Sequence, residues 1–296
     1  MLEPSPPLSI AEALAMAAER LAHSGVPNAR REATALWAAV EQVKPGEVWL
    51  KRAAAAAPPV AERFRQALER RSSGVPFAYA VGRVAFRSLA LAIDQRALIP
   101  RPETEGLVDL ALDGCRATRY QVPGTGGVAA DVGTGCGCIA LALAVEGSFE
   151  RVIAVERSPE AAALARENAV LVRPRTPVEI REGDLLAPLA GERYRVIVAN
   201  PPYLTEAEYE RLDPSVRQFE PGEALVSGPD GLAATRALLA GAAALLEPEG
   251  MLALEIDERR TEAVRALARQ YGWARIAIHD DLFGRPRYAL AFPPEA

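Results

Sequence analysis

Asn200-Pro201-Pro202-Tyr203 follows an apolar run, Tyr194-Arg195-Val196-Ile197-Val198-Ala199, that reads as a buried strand delivering the tetrapeptide to a cleft. These residue types suit one kind of chemistry. A planar amino group such as a carboxamide NH2 is a poor nucleophile because its lone pair is delocalised. An Asn side-chain oxygen and the carbonyl of the next residue, Pro201, can accept its two N–H hydrogens and hold its π face toward an electrophile. Pro201 and Pro202 stiffen the backbone that carries these acceptors, and Tyr203 offers an aromatic wall to a flat group. Asn200, Pro201 and Tyr203 are therefore the candidate catalytic residues, and Asn200, Pro201, Pro202 and Tyr203 the candidate substrate contacts. The competing reading is plain strand-to-turn punctuation, since Asn-Pro and Pro-Pro are ordinary turn signals.

Earlier in the chain, Val128-Ala129-Ala130-Asp131-Val132-Gly133-Thr134-Gly135-Cys136-Gly137-Cys138-Ile139-Ala140 reads as strand, glycine turn and helix. Glycines in the turn permit positive φ and let backbone approach a ligand closely. The spacing Gly-x-Gly-x-Gly differs from the dinucleotide fingerprint Gly-x-Gly-x-x-Gly, so the ligand need not be a phosphate. Asp131 suits the ammonium, or the loop amides, of an amino-acid-like ligand; a helix-capping loop with no ligand is the alternative. Glu150-Arg151-Val152-Ile153-Ala154-Val155-Glu156 reads as a second strand ending in a carboxylate, roughly twenty residues beyond the turn, where doubly wound folds meet ribose hydroxyls. Ser158-Pro159-Glu160 then starts a helix reaching about Asn168. Gly183-Asp184-Leu185 follows a third strand near Val178-Glu179-Ile180 and would set Asp184 and Leu185 around an adenine, a solvated surface acid being the other reading of Asp184. The candidate cofactor contacts are thus Asp131, Gly133, Thr134, Gly135, Cys136, Gly137, Glu156, Asp184, Leu185 and Asn200.

In this order, Gly133-Thr134-Gly135-Cys136-Gly137, Glu156, Gly183-Asp184 and Asn200-Pro201-Pro202-Tyr203 resemble a class I S-adenosylmethionine-dependent methyltransferase of the branch that modifies planar amino groups. Leu98-Ile99-Pro100-Arg101-Pro102-Glu103-Thr104-Glu105, Val216-Arg217-Gln218-Phe219-Glu220-Pro221, Ala224-Leu225 and Gly228-Pro229-Asp230-Gly231-Leu232 narrow the resemblance to the HemK/PrmC family, over essentially the whole chain and including Pro76-Phe77-Ala78-Tyr79-Ala80-Val81-Gly82. The resemblance implies an α/β fold with a Rossmann-like, mostly parallel seven-stranded sheet and a small N-terminal helical bundle. It implies S-adenosylmethionine as cofactor and methylation of the glutamine side-chain amide in the Gly-Gly-Gln motif of peptide-chain release factors, the protein partners. On that pattern the glycine turn lies under the amino-acid end of the cofactor, Glu156 meets the ribose, and Asn200 with the Pro201 carbonyl holds the amide for in-line displacement, with no strong base needed before attack. Arg101, Glu103 and Thr104 either line the cofactor pocket or form a surface charge cluster. Two positions depart from the family: it usually has Asp where this chain has Glu156, and Glu-Ile-Gly with a nearby Gln where this chain has Glu255-Ile256-Asp257-Glu258, which leaves the role of that peripheral loop open.

Two rivals stay in view. An adenine-N6 methyltransferase on DNA or RNA would present the same planar NH2 to the tetrapeptide, but the pI near 5.4 and the lack of a Lys/Arg-rich recognition domain oppose stable nucleic-acid binding. A cofactor-binding module without activity is opposed by the complete tetrapeptide.

The elements that must position these residues are legible in outline. Ser9-Ile10-Ala11-Glu12 looks like a capping box, Asn28 opens a second helix bearing Ala33, Leu36, Trp37 and Val40, and Pro58-Pro59 opens another through Phe64 and Leu68. The alanine run at 53–57 is helix-compatible. Residues 1–82 are expected to form a helical substrate-docking domain, 83–100 a β-hairpin linker and 101–296 the methyltransferase domain, closed by strands around Leu252, Ala274–Ile278 and Tyr288–Phe292, the last two as an antiparallel edge hairpin. Residues 1–90 hold 12 Lys and Arg against 8 acids, a net +4 within a chain of net −5, too weak a bias to indicate nucleic acid. At 296 residues and 50% hydrophobic content the chain can build real cores. No apolar run reaches membrane-spanning length and the start lacks a basic and apolar leader, so a cytoplasmic monomer without a membrane partner is expected. Cys115, Cys136 and Cys138 lack zinc-ligand spacing, and two histidines argue against a metal centre.

Overall fold

Short-range capping and long-range strand register divide the work of building this chain, whose computed structural model describes residues 8–116 and 126–294. The chain start at 1–7, where no leader is expected, lies outside the described residues. The chain forms two units, one of residues up to Arg83 with Pro214–Phe219, the other of Val84–Asp213 with the chain from Glu220 onward.

The first unit contains α1 (Ile10–His23), α2 (Ala29–Glu41), α3 (Pro45–Lys51), α4 (Pro58–Ser72) and α5 (Phe77–Val81). The Ser9 hydroxyl accepts from the Glu12 amide while the Glu12 carboxylate accepts from the Ser9 amide, which completes the expected capping box. Asn28 precedes α2 in a left-handed conformation, φ 52°, without a side-chain cap. Leu21, Leu36, Trp37 and Phe64 close the core, with the Trp37 and Phe64 rings 4.8 Å apart in a tilted pair. The alanine run at 53–57 is not helical: Ala54 carbonyl accepts from Ile10, Ala55 bridges Ser9, and Ala57 is extended at φ −63° and ψ 127°. Pro58, whose ring disfavours the helical region for the residue before it, accounts for Ala57, and the pairing with Ser9 and Ile10 holds Ala54 and Ala55 out of a helix.

In the second unit, apart from Arg83 at its start, β1 (Arg83–Phe86) and β2 (Leu89–Ala92) form the expected hairpin, and α6 (Thr104–Arg116) leads to a seven-stranded sheet. Its elements in chain order are β3 (Val128–Val132), α7 (Cys138–Glu146), β4 (Arg151–Glu156), α8 (Pro159–Val172), β5 (Val178–Glu182), β6 (Tyr194–Ala199), α9 (Glu206–Tyr209), α10 (Pro214–Phe219), α11 (Ala233–Gly241), β7 (Leu246–Glu255), α12 (Thr261–Gln270), β8 (Arg275–Asp280) and β9 (Pro286–Phe292). The short α10 is counted here in chain order but belongs to the first unit. The strand order is β5-β4-β3-β6-β7-β9-β8, with every strand running in one direction except β9, which is antiparallel to both its neighbours, so β8 and β9 make the expected antiparallel hairpin with β8 at the edge. β3, β6 and the C-terminal part of β7 are buried on both faces, which explains why they read as continuous apolar runs. Helix α7 is buried from Cys138 to Ala144 and shows no polar face for the same reason. The chain runs outward from β3 to β5 and returns beside β3 as β6, so the carboxyl ends of β3 and β6 flank a switch point, the ligand crevice of doubly wound sheets. Among the described residues, no helix is long and apolar enough to cross a membrane.

Candidate active site

Register sets the site. Val132 pairs with Ala199 and Val155, Glu156 with Glu182, and Ala199 with Leu254. The glycine turn, Glu156, Gly183, Asn200 and Glu255 therefore leave the sheet at one level, although they come from five separate stretches of chain. The first four border a cavity of about 450 Å³, a volume suited to a drug-sized ligand, whose polar lining includes Thr134, Glu156, Asp184 and Asn200 and whose apolar lining includes Ile139 and Leu185.

Within the glycine turn, Gly135 at φ +56° turns its amide onto the Glu156 carboxylate, N to Oε2 2.8 Å, while Gly137 at φ +86° begins α7 with Ala165 of α8 close by. A Cβ on Gly133 would meet no atom within 4 Å, so the space beside this residue is open. Oε1 of Glu156 accepts from Ser158 N at 2.9 Å, so both of its oxygens organise backbone while each keeps a second lone pair. Leu185 holds a left-handed φ of +46° where it borders the cavity, a strained conformation of the kind found at ligand sites. Asp184 is exposed at the same edge.

Asp131 sits differently from the ligand-facing position its spacing suggested. It is fully buried, and its Oδ2 accepts from Thr134 Oγ1 at 2.6 Å and from Ala140 N at 3.0 Å, so the carboxyl braces the turn and the first turn of α7. Its Oδ1 is buried without a partner among the described residues. Burial pushes this carboxyl up to about 7, against the pull of the Thr134 and Ala140 bonds. A raised carboxyl keeps its proton in the native state where the unfolded chain has lost it, so its contribution to stability is present at low pH and is lost as pH rises to about 7. Relative to Asp131→Asn, which cannot titrate there, the wild-type chain should lose roughly 2 kcal/mol of stability between about pH 5 and about pH 8. Urea unfolding of both proteins across that range checks this; a pH-independent difference would contradict it.

Asn200 lies at the cavity wall, with Pro201 buried behind it and Pro202 lining. Its Nδ2 donates to Thr104 Oγ1 at 3.1 Å, and Thr104 Oγ1 donates to Glu255 Oε2 at 2.8 Å. Thr104 and Glu255 are both buried, each 2% exposed. Burial pushes Glu255 up to about 7, opposed by its bond from Thr104. Of the expected contacts, Gly133, Thr134, Gly135, Cys136, Glu156, Asp184, Leu185, Asn200 and Pro202 border the cavity, while Asp131, Gly137, Pro201 and Tyr203 do not. Arg101 and Thr104 border it and Glu103 does not; Arg101 pairs at 2.7 Å with Glu220, itself buried.

Sequence reasoning passed over three groups. Asn168 of α8 is buried and donates to the carbonyls of Cys136, at 2.9 Å, and Ala92, tying the glycine turn to β2. Glu255 was grouped with a peripheral loop but ends β7 inside the site; a carboxylate closing an apolar strand run, as at Glu156, was the available signal. The loop after it also has a role. Buried Asp257 accepts from Arg259 and Arg260, and Arg260 reaches Asp230 O at 2.9 Å and Glu208 at 2.6 Å, fastening the segments that follow Tyr203.

Comparison with known proteins follows this geometry. The PrmC N-terminal domain matches residues 12–82 and the methyltransferase small domain matches residues 117–213. The chain is similar to the release factor glutamine methyltransferase of Moorella thermoacetica, 40% identical over 97% of this chain and 100% of the relative. The corresponding protein of Deinococcus radiodurans is 39% identical over 96% of this chain and 98% of the relative. Among solved structures, a methyltransferase from Pyrococcus furiosus aligns with a TM-score of 0.52 at 19% identity, over 76% of this chain and 98% of its own. The N-terminal domain of human METTL16 in complex with SAH aligns with a TM-score of 0.53 at 16% identity, over 87% of this chain and 93% of its own. These likenesses establish the class I methyltransferase fold.

Proposed function

The chain belongs to the release factor glutamine methyltransferase family, and from that premise we propose that it methylates the side-chain amide nitrogen of the glutamine in the Gly-Gly-Gln motif of peptide-chain release factors, using S-adenosylmethionine. The observation that carries this reading is Asn200, set at the carboxyl end of β6 on the wall of the cavity that the glycine turn and Glu156 also border. The cytoplasm, where translation termination takes place, is the compartment this reading implies.

The residues present fit the cofactor. The open space beside Gly133 and the turn amides suit its amino-acid end, the spare lone pairs of Glu156 suit two vicinal ribose hydroxyls, and Leu185 with Asp184 suits an adenine. When bound, the sulfonium supplies an electrophilic methyl carbon. The rest falls to the chain's own groups. Asn200 Oδ1 and the Pro201 carbonyl are assigned the two N–H hydrogens of the glutamine amide, which turns the nitrogen's π face to the electrophile, and Tyr203 is assigned the flat side of the amide. The proton leaves nitrogen during or after transfer, so fixed acceptors rather than a strong base carry the catalysis.

Labelled cofactor offered with either an intact release factor or DNA and RNA tests the reading. Label in the factor supports it; label in nucleic acid would favour the adenine reading, and label in neither would contradict both.

The helical unit is assigned to docking the protein substrate. Exposed Arg30 and Arg31 border an open groove between α1 and α2 with Leu14 and Ala18. Full-length enzyme carrying Arg30→Glu with Arg31→Glu should show KM for the intact factor raised by roughly threefold to tenfold, with KM for a short Gly-Gly-Gln peptide unchanged, since remote contacts supply binding energy only to the larger substrate. Steady-state kinetics on both substrates checks this, and an equal change on both would contradict the assignment.

A further inference from the structure

We propose that Glu255 and Thr104 form a hydrogen-bond relay that fixes which end of the Asn200 carboxamide meets the substrate, so that both are positioning residues for the methyl acceptor. The proposal rests on the glutamine reading above. Leu254 pairs with Ala199, which brings Glu255 level with Asn200 on the neighbouring strand, and the Thr104 hydroxyl lies between the two side chains, 2.8 Å from Glu255 Oε2 and 3.1 Å from Asn200 Nδ2. A carboxylate only accepts, so the single hydroxyl hydrogen of Thr104 is committed to Glu255 and only its lone pairs face Asn200. The amide end turned to Thr104 must then be the NH2. Oδ1, on the opposite side of the planar amide, has no hydrogen-bond partner among the described residues and is the end left for a substrate N–H.

The relay reverses when Glu255 is protonated. The acid then donates to Thr104, the hydroxyl is free to donate to Asn200 Oδ1, and the amide turns its NH2 to the substrate NH2, donor against donor. The groups facing Glu255 are Arg287 and Arg101, which favour its ionised form, and Glu103, which opposes it. The phenols of Tyr203 and Tyr288 also face it, and burial holds both above their ordinary range, so they stay neutral. Burial, the largest influence, outweighs the Thr104 bond and these charges and sets the exchange near neutral pH, with Glu255 at about 7.

The test uses the full-length chain as wild type, Glu255→Gln, Thr104→Val and Thr104→Ser. The Asn200 side-chain NH2 resonance, identified by its loss in Asn200→Ala, should titrate near pH 7 in the wild type and not in Glu255→Gln. On an intact release factor, Thr104→Val should lower kcat by about tenfold or more while cofactor affinity stays within about twofold, and Thr104→Ser should restore most of the loss. The acid limb of the wild-type kcat profile should be absent from Glu255→Gln. Wild-type kcat in Thr104→Val, or an Asn200 resonance that titrates alike in wild type and Glu255→Gln, would overturn the relay. Wild-type protein that binds cofactor and methylates no release factor would overturn the functional reading instead, and the NMR titration would still decide the relay.

Discussion

Asn200→Ala should cut methyl transfer by roughly two orders of magnitude or more while leaving cofactor affinity nearly unchanged. The side chain ends β6 at the cavity wall, its Nδ2 is already bound to Thr104, and its Oδ1 has no partner among the described residues. Removing that oxygen leaves one N–H of the substrate amide unpaired and lets the nitrogen rotate out of line, an effect that grows toward the transition state as charge builds on nitrogen. The glycine turn and Glu156 make their contacts elsewhere and should hold the cofactor as before. Single-turnover rates beside equilibrium cofactor binding separate the two effects. Near-normal transfer by the variant would remove Asn200 from the mechanism.

Glu156→Ala should instead act on binding, weakening cofactor affinity by roughly 2 to 3 kcal/mol, about thirtyfold to more than a hundredfold. Two losses coincide. The vicinal hydroxyls lose a charged acceptor, and the Gly135 and Ser158 amides lose the oxygens that hold them at 2.8 and 2.9 Å. Titration calorimetry reads the change directly, and unchanged affinity would reject the assigned site.

The parts of this site that the sequence disclosed are those written within one stretch of chain. A strand and a turn that needs glycine lie side by side at Val128–Val132 and Gly133, a carboxylate closes its own apolar run at Glu156, and the apolar run before Asn200 marks a strand end by itself. Pairings between distant stretches were not legible. Thr104 and Glu255 are separated by 151 positions and meet because α6, which Thr104 begins, packs on β6 and β7. Asn168 looked like a polar residue near a helix end until α8 continued to Val172 and turned it inward under Cys136. Asp131 shows the reverse error: its spacing was right for the turn, but strand β3 is buried on both faces, so its carboxyl closes on Thr134 and Ala140 and does not border the cavity. The alanines at 53–57 carried high helix propensity, and Pro58 with the bridge to Ser9 overrode it.

The central claim is settled most directly by mass analysis of a release factor after incubation with this enzyme and S-adenosylmethionine, with fragmentation of the peptide that contains the Gly-Gly-Gln motif. The account predicts that the peptide gains the mass of a single CH2, located on the glutamine side-chain amide, and that Asn200→Ala leaves it nearly unmodified. A methyl group on any other residue, or an unmodified peptide from a folded wild-type enzyme that binds the cofactor, would contradict it.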